Sequence, residues 1–186
     1  MIKYTTALLS IIFGLTACSS CLKKDNININ TTVDASYDSS VQEASIPEAS
    51  VLPIVISGDN WQFELPSTDW TLTPTEDGGP DAFYQNLKDK SLLIFLKEDF
   101  TGSTQDYTLL AIRGLKEANL KLLSSSQLLI DNKLFNYLEL VNGNIKLFQI
   151  LYSKNKFGYS LSCGGLDSEN TFKEKCLSIF NTVRIK

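Results

Sequence analysis

The sequence predicts an α+β fold in which helices pack on an antiparallel β-sheet. Three observations support this prediction: strand-like alternation near both ends of the patterned region, helical spacing of apolar residues in two segments, and a run of strands joined by short turns. Of the 186 residues, 43% are hydrophobic and 20% are charged. This composition is sufficient for one globular core.

The first strand-like segments show the alternation that half-buried strands require. Trp61–Leu65 alternates apolar with polar side chains and stops at Pro66. Trp70–Leu72 predicts a second short strand, and residues 91–96 predict a nearly continuous apolar strand. Residues 81–88, which lie between them, predict a short polar helix-like segment.

Apolar residues spaced three and four apart predict two amphipathic helices. The predicted apolar face of the central helix consists of Tyr107, Leu110, Ala111, Gly114, Leu115, Ala118 and Leu122. The predicted apolar face of the last helix consists of Phe172, Cys176, Ile179 and Phe180. Asp167 and Ser168 are the predicted capping residues of the last helix, and residues 182–185 predict a closing strand.

Between the two helices the pattern predicts four strands with short connections. These strands span residues 126–130, 134–141, 145–152 and 157–163, with turns at 131–132, 142–144 and 153–156. Because short connections join neighbouring strands, we expect all of them to be antiparallel.

The N-terminus has the features of a secretory signal. Lys3 supplies a positive charge, residues 7–15 form a compact apolar segment, and a stretch of small residues follows. The apolar segment is about half of the roughly 20 residues that a membrane-spanning helix needs. We therefore expect the segment to be cleaved rather than to span the membrane.

Residues 15–18 (Leu-Thr-Ala-Cys) resemble the bacterial lipobox. The resemblance implies that a lipid is attached to the sulfur of Cys18, which becomes the mature N-terminus; a plain signal peptide is the alternative. Cys21 lacks an apolar residue three positions before it, and its role stays open. Ser19 and Ser20 differ from the aspartate that retains some lipoproteins at the inner membrane, which favours the outer membrane in a Gram-negative host.

Composition divides the chain into three regions. Residues 1–17 are the predicted lipoprotein signal peptide. Residues 18–53 are rich in Ser, Thr, Asn, Asp and Glu and contain no Trp or Phe, so they predict a lipid-anchored disordered tether. Residues 54–186 carry the strand and helix patterns and predict a single α+β domain facing the periplasm.

Composition also excludes several classes of function. The chain contains no histidine, which removes Ser-His-Asp and Cys-His catalysis and every histidine metal ligand. A formal net charge of -4 gives no electrostatic reason to bind nucleic acid. We predict no cofactor, no metal and no catalytic residue.

Four features are candidates for sites of chemistry or binding. Residues 76–81 place three carboxylates around a turn that could hold calcium, yet they lack the EF-hand spacing and a solvated turn is favoured. For Glu98 and Asp99, a solvated loop end is favoured over the carboxylate pair of a glycosidase. For Ser124–Ser126, a polar start of a strand is favoured over the nucleophile of a Ser-Lys hydrolase. Four aromatic residues near connections are expected to be mostly core or core-rim residues: Trp70, Phe83, Tyr84 and Phe100.

The two C-terminal cysteines favour a structural disulfide over two buried free thiols. Cys163 ends a predicted strand, and Cys176 lies on the inward face of the last helix. Export to an oxidising compartment favours the bridge, which would join that helix to the sheet. A redox-active pair is disfavoured because only Cys18 and Cys21 have the C-x-x-C spacing, and the lipid would occupy Cys18.

The order of elements resembles that of the PsbP-like domain, which includes the DcrB-type bacterial envelope lipoproteins. The resemblance lies in the W-x-F-x-L-P opening at residues 61–66, Trp70, the central helix, the meander, Tyr159-x-Leu161 and the closing strand at 182–185. It implies an antiparallel sheet flanked by helices, as an α/β/α sandwich, and a role in binding or assembly. The family also includes the photosystem oxygen-evolving subunit, and the metal-binding histidines known in that branch have no counterpart here, because the chain contains no histidine.

These observations together predict a non-catalytic, lipid-anchored envelope protein. Its expected contacts are the membrane, through the N-terminal lipid, and another envelope protein, with no nucleic acid among its partners. Two alternatives stay open: an envelope hydrolase that uses carboxylates, and a protective lipoprotein that acts in phage exclusion or toxin immunity.

Overall fold

The computed structural model describes residues 53–75, 79–166 and 171–186. Within these ranges the chain forms strands and two helices, which confirms the predicted α+β class. The strands are β1 (Ile54–Ser57), β2 (Trp61–Leu65), β3 (Trp70–Leu72), β4 (Ala82–Asn86), β5 (Leu92–Asp99), β6 (Lys121–Ile130), β7 (Lys133–Asn142), β8 (Ile145–Lys154), β9 (Phe157–Leu166) and β10 (Arg184–Ile185). The helices are α1 (Thr104–Glu117) and α2 (Thr171–Asn181).

The strands form two antiparallel sheets. The large sheet has seven strands in the order β3-β4-β5-β9-β8-β7-β6, and the small sheet has three in the order β1-β2-β10. Helix α1 covers one face of the large sheet, and α2 and the small sheet cover the other. The result is a layered structure whose central layer is the large sheet.

Tight turns account for the meander from β6 to β9. Asp131 and Asn132 have φ angles of 49° and 58°, and Asn155 and Lys156 have φ angles of 53° and 66°. Two-residue hairpin turns of this kind need positive φ at both central residues, a conformation that Asn and Asp adopt more readily than most residues. The chain therefore returns directly into the neighbouring strand, as predicted.

Helix α1 begins with a capping box and packs against the large sheet. The side chain of Ser103 accepts a hydrogen bond from the backbone N–H of Asp106, and the Asp106 carboxylate accepts one from the backbone N–H of Ser103. Tyr107 is fully buried against the sheet. The ring fits because β9 carries Gly158, where a Cβ atom would lie 2.3 Å from the ring.

The opposite face of the large sheet holds the aromatic core. The rings of Trp61 on β2 and Phe95 on β5 stack with centroids 4.0 Å apart. The predicted inward face of α2 is confirmed, since all four of its residues are buried: Phe172, Cys176, Ile179 and Phe180. The small sheet and α2 therefore share one core.

The structure corrects two local predictions. Residues 81–88 were expected to be helix-like, but Ala82–Asn86 is strand β4, because pairing with β3 and β5 on both sides outweighs weak local preferences. Leu122 was placed on the central helix, but it lies in β6, and α1 ends at Glu117. Asn119, with a φ angle of 57°, turns the chain away from the helix axis.

Some predictions concern residues outside the described ranges. They include the signal peptide, the tether, Cys18, Cys21 and the predicted caps Asp167 and Ser168. Neither helix within the described ranges has the length and hydropathy needed to cross a membrane.

Candidate binding groove

A groove of about 800 Å³ opens at one end of the α2 side of the molecule. Its walls are the connection from β2 to β3, the turn between β4 and β5, the end of β9, and one side of α2. Phe172, Leu166 and Pro66 supply apolar lining, and Lys88 and Lys90 are exposed along it. The groove therefore combines an apolar surface with charged side chains.

The turn between β4 and β5 is held in shape by Asn86. Its side chain is buried, and its Oδ1 accepts hydrogen bonds from the backbone N–H groups of Lys88, at 3.0 Å, and Asp89, at 3.3 Å. The backbone N–H of Asn86 also donates to the carbonyl of Ser91, at 2.8 Å. These bonds fix one wall of the groove, since an Asn side chain can replace backbone partners in a turn.

Lys175 on α2 connects the helix to this turn. Its Nζ donates to the carboxylate of Asp89 and, at 3.1 Å, to Oγ of Ser91, and it lies 4.7 Å from the ring centroid of Trp70. The Ser91 hydroxyl itself donates to Asp89, at 2.5 Å. Four side chains from three segments are thus joined, and two of them, Asp89 and Lys175, line the groove.

The pKa of Asp89 reflects these contacts. Partial burial acts to raise the pKa, but the hydrogen bonds from Lys175 and Ser91, together with the charge of Lys175, lower it overall. The carboxylate therefore stays ionised and keeps its bond to α2 at neutral pH.

A second ion pair holds the other side of α2. Lys173 donates to the carboxylate of Glu139 on β7, which also accepts a hydrogen bond from the Tyr137 hydroxyl, at 3.1 Å. Burial raises the pKa of Tyr137, and the neighbouring charge of Glu139 raises it further. Helix α2 is therefore bonded to the large sheet on both sides of its axis.

The disulfide fixes the helix against the strand at the end of the groove. Cys163 on β9 and Cys176 on α2 are bonded, with their Cα atoms 5.8 Å apart, in agreement with the predicted pairing. Both are fully buried. Nearby, Gly165 leaves room for Phe172, since a Cβ atom there would lie 2.9 Å from the ring.

The arrangement of Ser91, Lys175 and Asp89 does not form a nucleophilic serine site. A nucleophilic serine needs an accessible hydroxyl and a base that can take its proton. Ser91 is 1% exposed, and its hydroxyl donates to Asp89. Lys175 is a donor to both partners and is ion-paired. This cluster is therefore a structural connection that shapes the groove.

The residues of the other candidate sites of chemistry make separate contacts within the fold. The Oδ2 atom of Asp81 accepts a hydrogen bond from the backbone N–H of Lys97, at 2.6 Å, while Glu76 and Asp77 lie outside the described residues. Glu98 accepts a hydrogen bond from Tyr107, at 2.8 Å. No group of three or more potential metal ligands occurs in the described part of the chain.

The aromatic residues near connections lie in or beside the core, as expected. Trp70 is buried, Tyr84 packs against the aromatic core, and Phe83 and Phe100 pack against the core beneath α1. Trp70 also contacts the groove cluster through Lys175. Asn86, Asp89 and Lys175 were not among the residues predicted to form a site, and the N-L-K-D run at residues 86–89 is the only local signal of a turn there.

Comparisons with known proteins support the fold. No protein-family model matches the chain, and no curated protein does. The solution structure of cyanobacterial PsbP (CyanoP) from Synechocystis sp. PCC 6803 matches with a TM-score of 0.59 at 12% identity, over 79% of this chain and 99% of that chain. The predicted PsbP-like fold is therefore confirmed.

A second solved structure is similar over part of its length. It is a crystal structure from Bacteroides thetaiotaomicron VPI-5482, with a TM-score of 0.50 at 14% identity. The match covers 74% of this chain and 49% of that chain, so it spans about half of the neighbour. At these identities the likeness concerns the fold alone.

Proposed function

We propose that this protein is a lipid-anchored component of the cell envelope whose PsbP-like domain binds another envelope protein without catalysing a reaction. The observation that carries the proposal is the groove between α2 and the turn after β4. The groove combines apolar surface with exposed lysines. A disulfide and two ion pairs hold α2, which forms one of its walls, against the large sheet.

The rigidity of the groove favours binding of a partner segment. Preformed sites lose less conformational entropy when a ligand binds, because their side chains are already ordered. Here Asp89 and Lys175 hold each other, and Asn86 holds the turn that carries Lys88 and Lys90. The groove therefore suits an extended segment with apolar side chains and acidic or amide groups that reach the lysines.

The anchoring part of the proposal rests on the sequence. The apolar segment at residues 7–15 and the Leu-Thr-Ala-Cys run at 15–18 resemble a lipoprotein signal, so the mature chain would begin at lipid-modified Cys18. A Ser- and Asn-rich tether over residues 18–53 would let the domain reach a partner away from the membrane surface.

Site-specific photocrosslinking in the envelope tests the binding proposal. A photoreactive amino acid at Lys88, on the groove, should crosslink to one envelope protein. The matched control is Lys116, an exposed lysine on α1, which covers the opposite face of the large sheet. The same products from both positions, or none from Lys88, would contradict the groove as the binding site.

Lipid labelling tests the anchor independently. Cys18→Ser should abolish incorporation of a labelled fatty acid and release the domain from membranes or leave it unprocessed. Cys21→Ser serves as the control and should leave the label in place. Absence of lipid on the wild-type protein would remove the anchoring part of the proposal and leave the groove experiment unaffected.

A further inference from the structure

Among the described residues, strand β6 forms one edge of the large sheet. It is ten residues long and pairs with β7 on one side. Every residue from Lys121 to Gln127 is exposed. The opposite edge, β3, is only three residues long. Backbone N–H and C=O groups along the outer side of β6 can therefore pair with another strand.

The composition of β6 does not protect it against pairing. Edge strands commonly contain charged side chains or proline, or are short, and these features prevent pairing with a strand of another chain. Between Leu122 and Ile130 the strand contains no charged residue and no proline. One protective feature is present, because the register of β6 against β7 shifts between Leu122 and Ser124. Residues 124–130 still pair regularly with β7.

The order of side chains along β6 is nearly symmetric about its centre. Leucines lie near both ends, and the middle is Ser-Ser-Ser-Gln. Two identical strands that pair in antiparallel fashion about a two-fold axis place the first half of one against the second half of the other. A strand with leucine at both ends and serine in the middle therefore matches itself.

We propose that β6 pairs with β6 of a second copy of this chain, joining two large sheets across a two-fold axis at Ser126. This axis places Ser125 opposite Gln127 and Ser124 opposite Leu128. The irregularity at Leu123 then brings Leu122 opposite Leu129. Residues that oppose each other in a sheet must point to the same face, and this register meets that condition at each pair.

The faces follow from the pairing with β7. Leu122 lies opposite Leu140, whose side chain packs beneath α1, and Leu129 lies opposite Leu134. By alternation along β7, Leu134 and Leu140 point to the same face of the sheet. Leu122 and Leu129 consequently share the α1 face.

The dimer would cover apolar side chains that the single chain exposes. Leu122, Leu129 and Leu134 are 38%, 67% and 55% exposed. In the proposed register, Leu122 of one copy packs beside Leu129 of the other, which in turn lies opposite Leu134 of its own chain, once at each end of the interface. Burying exposed apolar side chains is favourable, and no charge lies between Leu122 and Ile130 to oppose the contact.

Placing a positive or a negative charge at Ser126, which lies on the proposed two-fold axis, tests this pairing. Wild-type full-length chain in mild detergent should sediment as a dimer. Ser126→Lys and Ser126→Glu should each weaken dimerisation about fivefold or more, because like charges would face each other across the axis. An equimolar mixture of the two variants should restore the dimer, and circular dichroism should confirm that each variant is folded.

Leu109→Lys is the matched control, because Leu109 is 49% exposed on α1 and lies outside β6. The control should sediment as the wild type does. A monomeric wild type, unchanged dimerisation of Ser126→Lys, no restoration in the mixture, or equal loss in Leu109→Lys would each overturn the proposal.

Discussion

Loss of the Cys163–Cys176 bridge should lower the stability of the fold by about 3 kcal/mol. The bonded residues are 13 positions apart. Closing a loop of that size removes about 10 cal/mol/K of entropy from the unfolded chain in the loop-entropy model, which corresponds to about 3 kcal/mol at 25 °C. This is a large share of the roughly 5 to 15 kcal/mol that separates folded from unfolded domains.

The test compares urea unfolding of three samples. They are the oxidised wild type, the reduced wild type, and the variant in which both cysteines are replaced by alanine. The variant and the reduced wild type should each unfold at lower urea concentration than the oxidised protein, with a melting temperature lower by roughly 10 °C. Reductant should have no effect on the variant, which controls for other cysteines.

Two results would refute this account of how α2 is held. One is modification of Cys163 and Cys176 by a maleimide in concentrated urea without reductant, since bonded cysteines do not react. The other is an oxidised wild type that is no more stable than its reduced form. Because both cysteines are fully buried, native-state labelling alone would not separate a bridge from two protected thiols.

Three further predictions concern close packing, pH and helix capping. Gly158→Ala should cost about 1 to 3 kcal/mol of unfolding free energy, because its Cβ atom would overlap the buried Tyr107 ring; Tyr107→Leu in the same chain should recover part of the loss. Asp89, whose pKa is lowered, stabilises the fold above its ordinary pKa near 3.8 and loses that contribution as pH falls through the lowered value. Asp89→Asn should therefore flatten the pH dependence of urea unfolding below about pH 4, and an unchanged slope would contradict the Lys175 contact. Ser103→Ala should lower the unfolding free energy by about 1 kcal/mol, measured by thermal unfolding, whereas Ser103→Thr should keep the cap.

The elements that could be predicted from the sequence are those whose contacts are local. The meander from β6 to β9 has alternating side chains, and its turns at residues 131–132 and 155–156 contain Asp and Asn suited to positive φ. The inward faces of α2 and most of α1 follow from apolar spacing. These signals lie within single segments, so they can be recognised without knowledge of the neighbours.

The features that could not be predicted depend on distant segments. The sequence of strand β4 has no strand-like alternation, and its extended conformation is stabilised by pairing with β3 and β5. The small sheet brings β10 beside β2, although these strands lie at opposite ends of the domain sequence. The groove likewise combines the turn after β4 with Lys175 on α2, and no local pattern indicates which segments will meet.

The strand order also dictates when the chain can acquire its structure during synthesis or export. Strand β5 is an interior strand of the large sheet, yet its partner β9 is contributed by residues 157–166. The small sheet is completed by Arg184 and Ile185, and the N–H of Lys186 bonds to the carbonyl of Asn60. The native sheets are therefore complete only when residues 157–166 and 184–186 are available, and a chain emerging N-terminus first from a ribosome or a translocation channel cannot complete either sheet before these residues have emerged.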